Sequence, residues 1–179
     1  MKNLVILTII LFQTYAGFSS SKDAEVQEPV MGLIVERATE SGISTCRFCA
    51  NVLRTGRIHS DGTHIIENHI RNYLFSKKIV PQECDLNVDR CIYVLLYAFE
   101  EKVGGNLSVE KPAKVGFHIH LLDRMVPVSS FTFHEEQKPL FSNLLGIGKF
   151  FKRKAKWIDA TTLAEEGVKK ALDTIIGGQ

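Results

Sequence analysis

Residues Lys111–Glu135 read KPAKVGFHIHLLDRMVPVSSFTFHE. Val115, Phe117, Ile119 and Leu121 alternate with Lys114, Gly116, His118 and His120, the period of two that marks a strand with one face buried. Phe131 and Phe133 resume the alternation after a turn. A hairpin closed by Met125, Val126 and Pro127 sets Ile119 opposite Phe133 and Leu121 opposite Phe131, and puts His118 opposite His134 on the other face. A slip of one residue would turn the aromatic set into water, at about 1.5–3 kcal/mol per large side chain. Burial therefore selects which side chains share a face.

Upstream, Cys91–Phe99 (CIYVLLYAF) is apolar almost throughout, the pattern of a central strand covered on both sides. Val103-Gly104-Gly105-Asn106 is turn chemistry that doubles the chain back into the hairpin, and Pro112 suits the first position of a strand, where a missing donor does least harm. Ile79-Val80 ahead of Pro81 predicts a brief strand. Before it, Ser60-Asp61-Gly62-Thr63 offers cap residues for a helix with Ile65, Ile66, Ile70, Tyr73 and Leu74 on one face and Lys77 and Lys78 at its end. Val30–Val35 has the size of a buried strand. Between these, Glu36–Ser60 is punctuated by Gly and Ser and reads as a long loop with at most one helical turn. Such length is unusual inside a compact domain and marks a functional or cross-linked segment.

Downstream, Gln137–Gly148 reads as a short helix or irregular segment. Asp159, Thr162 and Glu165 make a capping box, followed by an apolar stripe of Ala164, Val168, Ala171, Leu172, Ile175 and Ile176, with Gly177 placed to end the helix. The expected fold is α/β (α+β): a mixed sheet with helices mainly on one face, a more open second face and an amphipathic C-terminal helix.

The chain has 179 residues, 45% of them apolar, and a net charge of +2. That suits one domain over residues 30–179, and the mild charge argues against a nucleic-acid partner. Lys2, the apolar run Leu4–Phe12 and small residues at Ala16 and Gly17 read as a secretory signal peptide over 1–18, too short to span a membrane. Residues 19–29 read as a tether. Tyr15-Ala16-Gly17 looks like the end of a lipobox, but Phe18 stands where the cysteine would be lipidated, so no thiol is there to acylate.

Cys46, Cys49, Cys84 and Cys91 in an exported chain suit two structural disulfides, with the pairing open among three connectivities. Cys46-x-x-Cys49 is also the spacing of a redox pair or of half a zinc site, whose remaining ligands Cys84 and Cys91 would supply if the loop folded back. His118, His120 and His134 share one face of the expected hairpin, at a spacing suited to a solvated polar face, to a pH-sensitive patch or to a transition metal. Lys149, Phe151, Lys152, Arg153, Lys154 and Lys156 form a basic and aromatic run that reads either as a solvated loop whose aromatics Phe150, Phe151 and Trp157 pack into the core, or as a contact for anionic lipid, acidic polysaccharide or a protein partner. No nucleophile–base pair, phosphate loop or carboxylate pair stands out.

From Arg47 onward the chain resembles a set of bacterial envelope lipoproteins through short blocks. These are Leu53-Arg54-Thr55-Gly56, Glu101-Lys102-Val103-Gly104-Gly105, Pro112-Ala113-Lys114-Val115 leading to Leu121-Leu122, Glu135–Leu140 leading to Asn143-Leu144, Lys156-Trp157, and Leu163-Ala164-Glu165-Glu166-Gly167. The layout resembles that of the TolB amino-terminal domain. Phe18 departs from the family's lipidated cysteine, and Arg124-Met125-Val126-Pro127 replaces its small, glycine-bearing last turn. The resemblance implies a periplasmic or outer-membrane-associated accessory protein. Such a protein would be non-enzymatic, use no cofactor and bind an envelope protein, anionic polysaccharide or lipid surface, with homo-oligomerisation a candidate. The alternative is a metal- or thiol-dependent protein using Cys46, Cys49 and the His118/His120/His134 face.

Overall fold

The apolar run from Cys91 lies in the middle of a five-stranded sheet, covered on both faces as its composition requires. The computed structural model of the chain describes residues 28–39, 42–85, 88–104, 109–136 and 158–177. The expected leader, the segment 137–148 and the basic run 149–157 lie outside these. In chain order the elements are β1 (Val30–Arg37), β2 (Ile43–Thr45), β3 (Val52–Arg54), α1 (Gly62–Ser76), β4 (Val80–Glu83), β5 (Arg90–Glu100), β6 (Val103–Gly104), β7 (Val109–Lys111), β8 (Lys114–Asp123), β9 (Val126–Glu136) and α2 (Ala160–Ile175). The sheet order is β4-β1-β5-β8-β9. β1 runs parallel to β4 and β5, while β5, β8 and β9 form an antiparallel meander. Pro81 falls inside β4, an edge strand, where proline is tolerated.

One face of the sheet packs on the helices. Ile66, Ile70 and Leu74 of α1 are buried, as are Leu163, Ala164, Val168, Ala171 and Leu172 of α2. Phe117 and Phe133 stack beneath α2 with centroids 5.3 Å apart. The Asp159 side chain caps the helix by accepting a hydrogen bond from the Thr162 amide at 2.7 Å. Thr162 and Glu165 lie within the helix, so of the expected box it is the Asp159 cap that the structure shows. Gly167 lets α2 approach β9, because an added Cβ would lie 2.7 Å from the Phe133 ring. Alanine favours a helix over glycine by about 0.8–1 kcal/mol, but forcing the ring aside costs about 1–3 kcal/mol. Gly167→Ala is therefore expected to lower stability in urea unfolding; a gain would show that Phe133 yields freely.

The β8–β9 hairpin keeps its expected faces and changes its partners. Phe117 pairs with Phe133, Ile119 with Phe131 and His118 with Thr132, so the register is displaced by two residues and His134 sits opposite Gly116. Arg124 and Met125, not Met125–Pro127, close the turn, with φ of 47° and 65°. Two left-handed residues match the twist of a two-residue hairpin, and Val128 is accommodated by a register shift beside Leu121 and Leu122.

The expected long loop after β1 is a second correction. Ala38 donates to the Leu96 carbonyl at 2.8 Å as β1 leaves the sheet, and the chain returns along β5 with Gly56 bonded to Tyr97 and His59 to Phe99. Between those points β2 and β3 pair antiparallel as a small hairpin. Both ends of the excursion are fixed to β5, and its tip folds over the sheet face that the helices leave uncovered.

Cys84 and Cys91 are joined as a disulfide, Cα atoms 5.9 Å apart. The bridge spans from the end of β4 to β5, across β1, and only glycine fits beneath it: a Cβ on Gly32 would meet the Cys91 and Cys84 sulfurs at 2.5 and 2.7 Å. Cys46 and Cys49 are free thiols, so the second disulfide expected from the sequence is not formed.

Candidate metal centre

Cys46 follows β2 directly, and the chain turns through Arg47, Phe48 and Cys49 into β3. The turn is closed by hydrogen bonds from the Cys46 amide to the Asn51 carbonyl and from the Ala50 amide to the Cys46 carbonyl, both 2.9 Å. Ala50 takes a left-handed φ of 55°, which curls the chain so that the two sulfurs point the same way. Phe48 packs edge-on to Tyr93 at 4.8 Å and against His120 at 5.9 Å. The Arg47 guanidinium lies 4.6 Å from the centre of the Tyr93 ring and pairs with Glu36 at 3.0 Å, while the Tyr93 hydroxyl donates to the same carboxylate at 2.7 Å. This clamp presses the turn onto β5 and β8.

Beneath it lie His118 and His120, alternate residues of β8 and so on one face. They are not the solvated pair expected from strand patterning: each is only 1% exposed. Their rings meet edge to face at 4.5 Å. The Cys49 sulfur is 3.2 Å from His118 Nε2, and the Cys46 sulfur is 3.3 Å from His120 Nε2. All four candidate ligand atoms lie within 4.8 Å of one another. Zn–S bonds of about 2.3 Å and Zn–N bonds of about 2.0–2.1 Å put sulfur and nitrogen about 3.5 Å apart across a tetrahedron, close to the separations seen. A two-sulfur, two-nitrogen set of this shape suits zinc.

The surroundings fit ligation. His118 Nδ1 is 2.7 Å from the Thr132 hydroxyl, the kind of partner that orients a ligating imidazole and fixes which nitrogen faces the metal. Burial pushes the His118 pKa down to about 4, helped by neighbouring His120. His120 is lowered as well, mainly by burial and partly offset by the Ser129 backbone, although its Nδ1 makes no hydrogen bond of good geometry. Both rings are thus held neutral, with lone pairs free for a cation. Burial also raises the Cys49 thiol, against the lowering effect of the Asn51 amide, so a metal must displace its proton.

His134 shares the sheet face but not the cluster. It stacks on Tyr97 with centroids 5.8 Å apart and planes 5° from parallel. Cys84 and Cys91 are not ligands because they bond each other. The structure therefore brings the cysteine pair together with two of the three histidines that the alternative reading of the sequence named alongside it. Lys149, Phe151, Lys152, Arg153, Lys154 and Lys156 lie outside the described residues. Among the described residues no helix is long and apolar enough to cross a membrane.

No protein-family model matches the sequence, and no curated protein does. Among solved structures, the chain is similar to a PelC dodecamer from Paraburkholderia phytofirmans at 14% identity and a TM-score of 0.50, over 83% of this chain and 86% of that one. A hypothetical protein, CT253, from Chlamydia trachomatis superposes with a TM-score of 0.46 at 7% identity, over 84% and 96% of the two chains. A minor lipoprotein from Acinetobacter baumannii gives 0.35 at 9%, over 80% and 91%. The first of these shows a shared fold; the other two add nothing to it.

Proposed function

We propose that the chain is an exported envelope protein without enzymatic activity, built on a TolB amino-terminal-like layout, whose β2–β3 excursion is fastened to the sheet by one zinc ion. Cys46, Cys49, His118 and His120 hold it. The observation that carries this reading is the convergence of four ligand atoms from positions as far apart as 46 and 120 within 4.8 Å. Four protein ligands fill a tetrahedron, as in structural zinc sites, whereas catalytic sites keep a position open. The zinc would act by holding a recognition surface in shape. Export is supported by the leader pattern over 1–18, and a partnership among copies of the chain by the fold shared with a PelC dodecamer.

Equilibrium dialysis of the reduced full chain against zinc tests the reading. One zinc per chain is expected, with Cys46→Ser and His120→Gln abolishing stoichiometric uptake. Thr132→Ala, which leaves all four ligands, should weaken affinity by about 10–100-fold. No uptake by the wild-type chain, or undiminished uptake by Cys46→Ser, would refute it.

A further inference from the structure

Resting on that metal reading, we propose that the centre is a redox gate: a small-molecule disulfide converts Cys46 and Cys49 into a disulfide, expels the metal and frees the β2–β3 hairpin from the sheet. Three observations carry it. Cys49 is open to solvent at the tip of the turn while Cys46 is 1% exposed, so an oxidant can reach one sulfur and not the other. The two sulfurs lie within 4.8 Å of each other across a two-residue gap, so a bridge between them needs little backbone movement. The same domain carries the Cys84–Cys91 bridge, a cross-link typical of oxidising compartments, where an accessible thiol pair is oxidised unless something holds it.

The chemistry balances without a proton. The Cys49 thiolate attacks the small disulfide R–S–S–R, forming Cys49–S–S–R and releasing one thiolate. The Cys46 thiolate then attacks the Cys49 sulfur, closes the bridge and releases the second. Two electrons pass from the cysteine sulfurs to the oxidant, and the zinc leaves as the divalent cation because two imidazoles remain to hold it. β2 and β3 have three residues each, too few to stand as an independent hairpin. Loss of the metal removes the link between the turn and β8 and leaves the tip to the weaker packing of Phe48, Leu53 and Arg47, and the tip's departure would uncover Tyr93, His118 and His120. Oxidation would thus switch this sheet face between covered and exposed.

The test uses the zinc-loaded full chain, oxidised glutathione as the probe, a colorimetric chelator to read zinc and peptide mass mapping to locate bridges. The expected result is loss of the whole zinc equivalent in step with a Cys46–Cys49 bridge, together with faster tryptic cleavage after Arg47 and Arg54. Retained zinc with intact thiols would overturn the gate, as would a Cys49–glutathione adduct that keeps the metal, or bridges from Cys46 or Cys49 to Cys84 or Cys91. A chain that takes up no zinc before oxidant is added refutes the metal reading instead, so the two failures are distinguishable.

Discussion

Zinc at a free concentration 1,000 times its dissociation constant is expected to stabilise the reduced, metal-free chain by about 4 kcal/mol, raising Tm by about 8–16 °C for a domain of this size. The effect is large because the ligands come from segments 69 and 74 residues apart, joined only in the folded state. The unfolded chain retains the local Cys46–Cys49 pair and can bind weakly through it, which makes the figure an upper value. Cys46→Ser and His118→Gln should abolish the shift. His134→Ala should leave it whole, since that ring stacks on Tyr97 outside the cluster. Differential scanning calorimetry with and without zinc measures this. A shift that survives Cys46→Ser, or disappears with His134→Ala, would place the metal elsewhere on the face.

Acidification of the metal-free chain should give the second large effect. The His118 pKa falls from an ordinary 6.5 to about 4 on folding, so the unfolded chain takes up a proton that the folded one refuses. Stability is then full above about pH 6.5, falls as pH drops toward 4 and levels off below it. For this one group the loss between pH 7 and pH 5 is about 2 kcal/mol. His120 and His134, both lowered chiefly by burial, act in the same direction. Glu100 and Asp159 are also lowered, by Lys111 and by the Thr162 amide respectively, against the opposing effect of burial. Their contributions are lost only as pH approaches the carboxylate range, so the window from pH 7 to 5 isolates the histidines. Urea unfolding at those two values measures the slope, and His118→Gln should flatten it. An unchanged slope in that variant would mean the proton is taken up elsewhere.

Much of the architecture was legible because burial leaves a periodic trace. The alternation through Val115–Leu121 and Phe131–Phe133 fixes which residues share a face, and a displacement of two residues preserves that parity even though it changes every partner. The partners were not legible because Arg124 and Met125 adopt a left-handed turn that non-glycine residues rarely take. The continuous apolar run of β5 announced a strand covered on both sides, but not what covered the second one. The cover is a hairpin of three-residue strands, too short to leave a periodic signal, so Glu36–Ser60 read as a loop.

The metal centre shows the same division. Cys46-x-x-Cys49 and the alternation of His118 with His120 were each visible as half a site. Nothing local joins them. Their union depends on β1 leaving β5 at Ala38 and the chain returning to it at Gly56, which folds the intervening turn over Tyr93 and β8. Histidines on a strand face are ordinarily solvated, and these two are buried because that turn lies on them.

X-ray absorption at the zinc edge of the loaded, reduced protein examines the coordination directly. Two sulfurs at about 2.3 Å and two imidazole nitrogens at about 2.0–2.1 Å are predicted. A shell of nitrogen and oxygen alone, or of four sulfurs, would contradict the centre formed by Cys46, Cys49, His118 and His120.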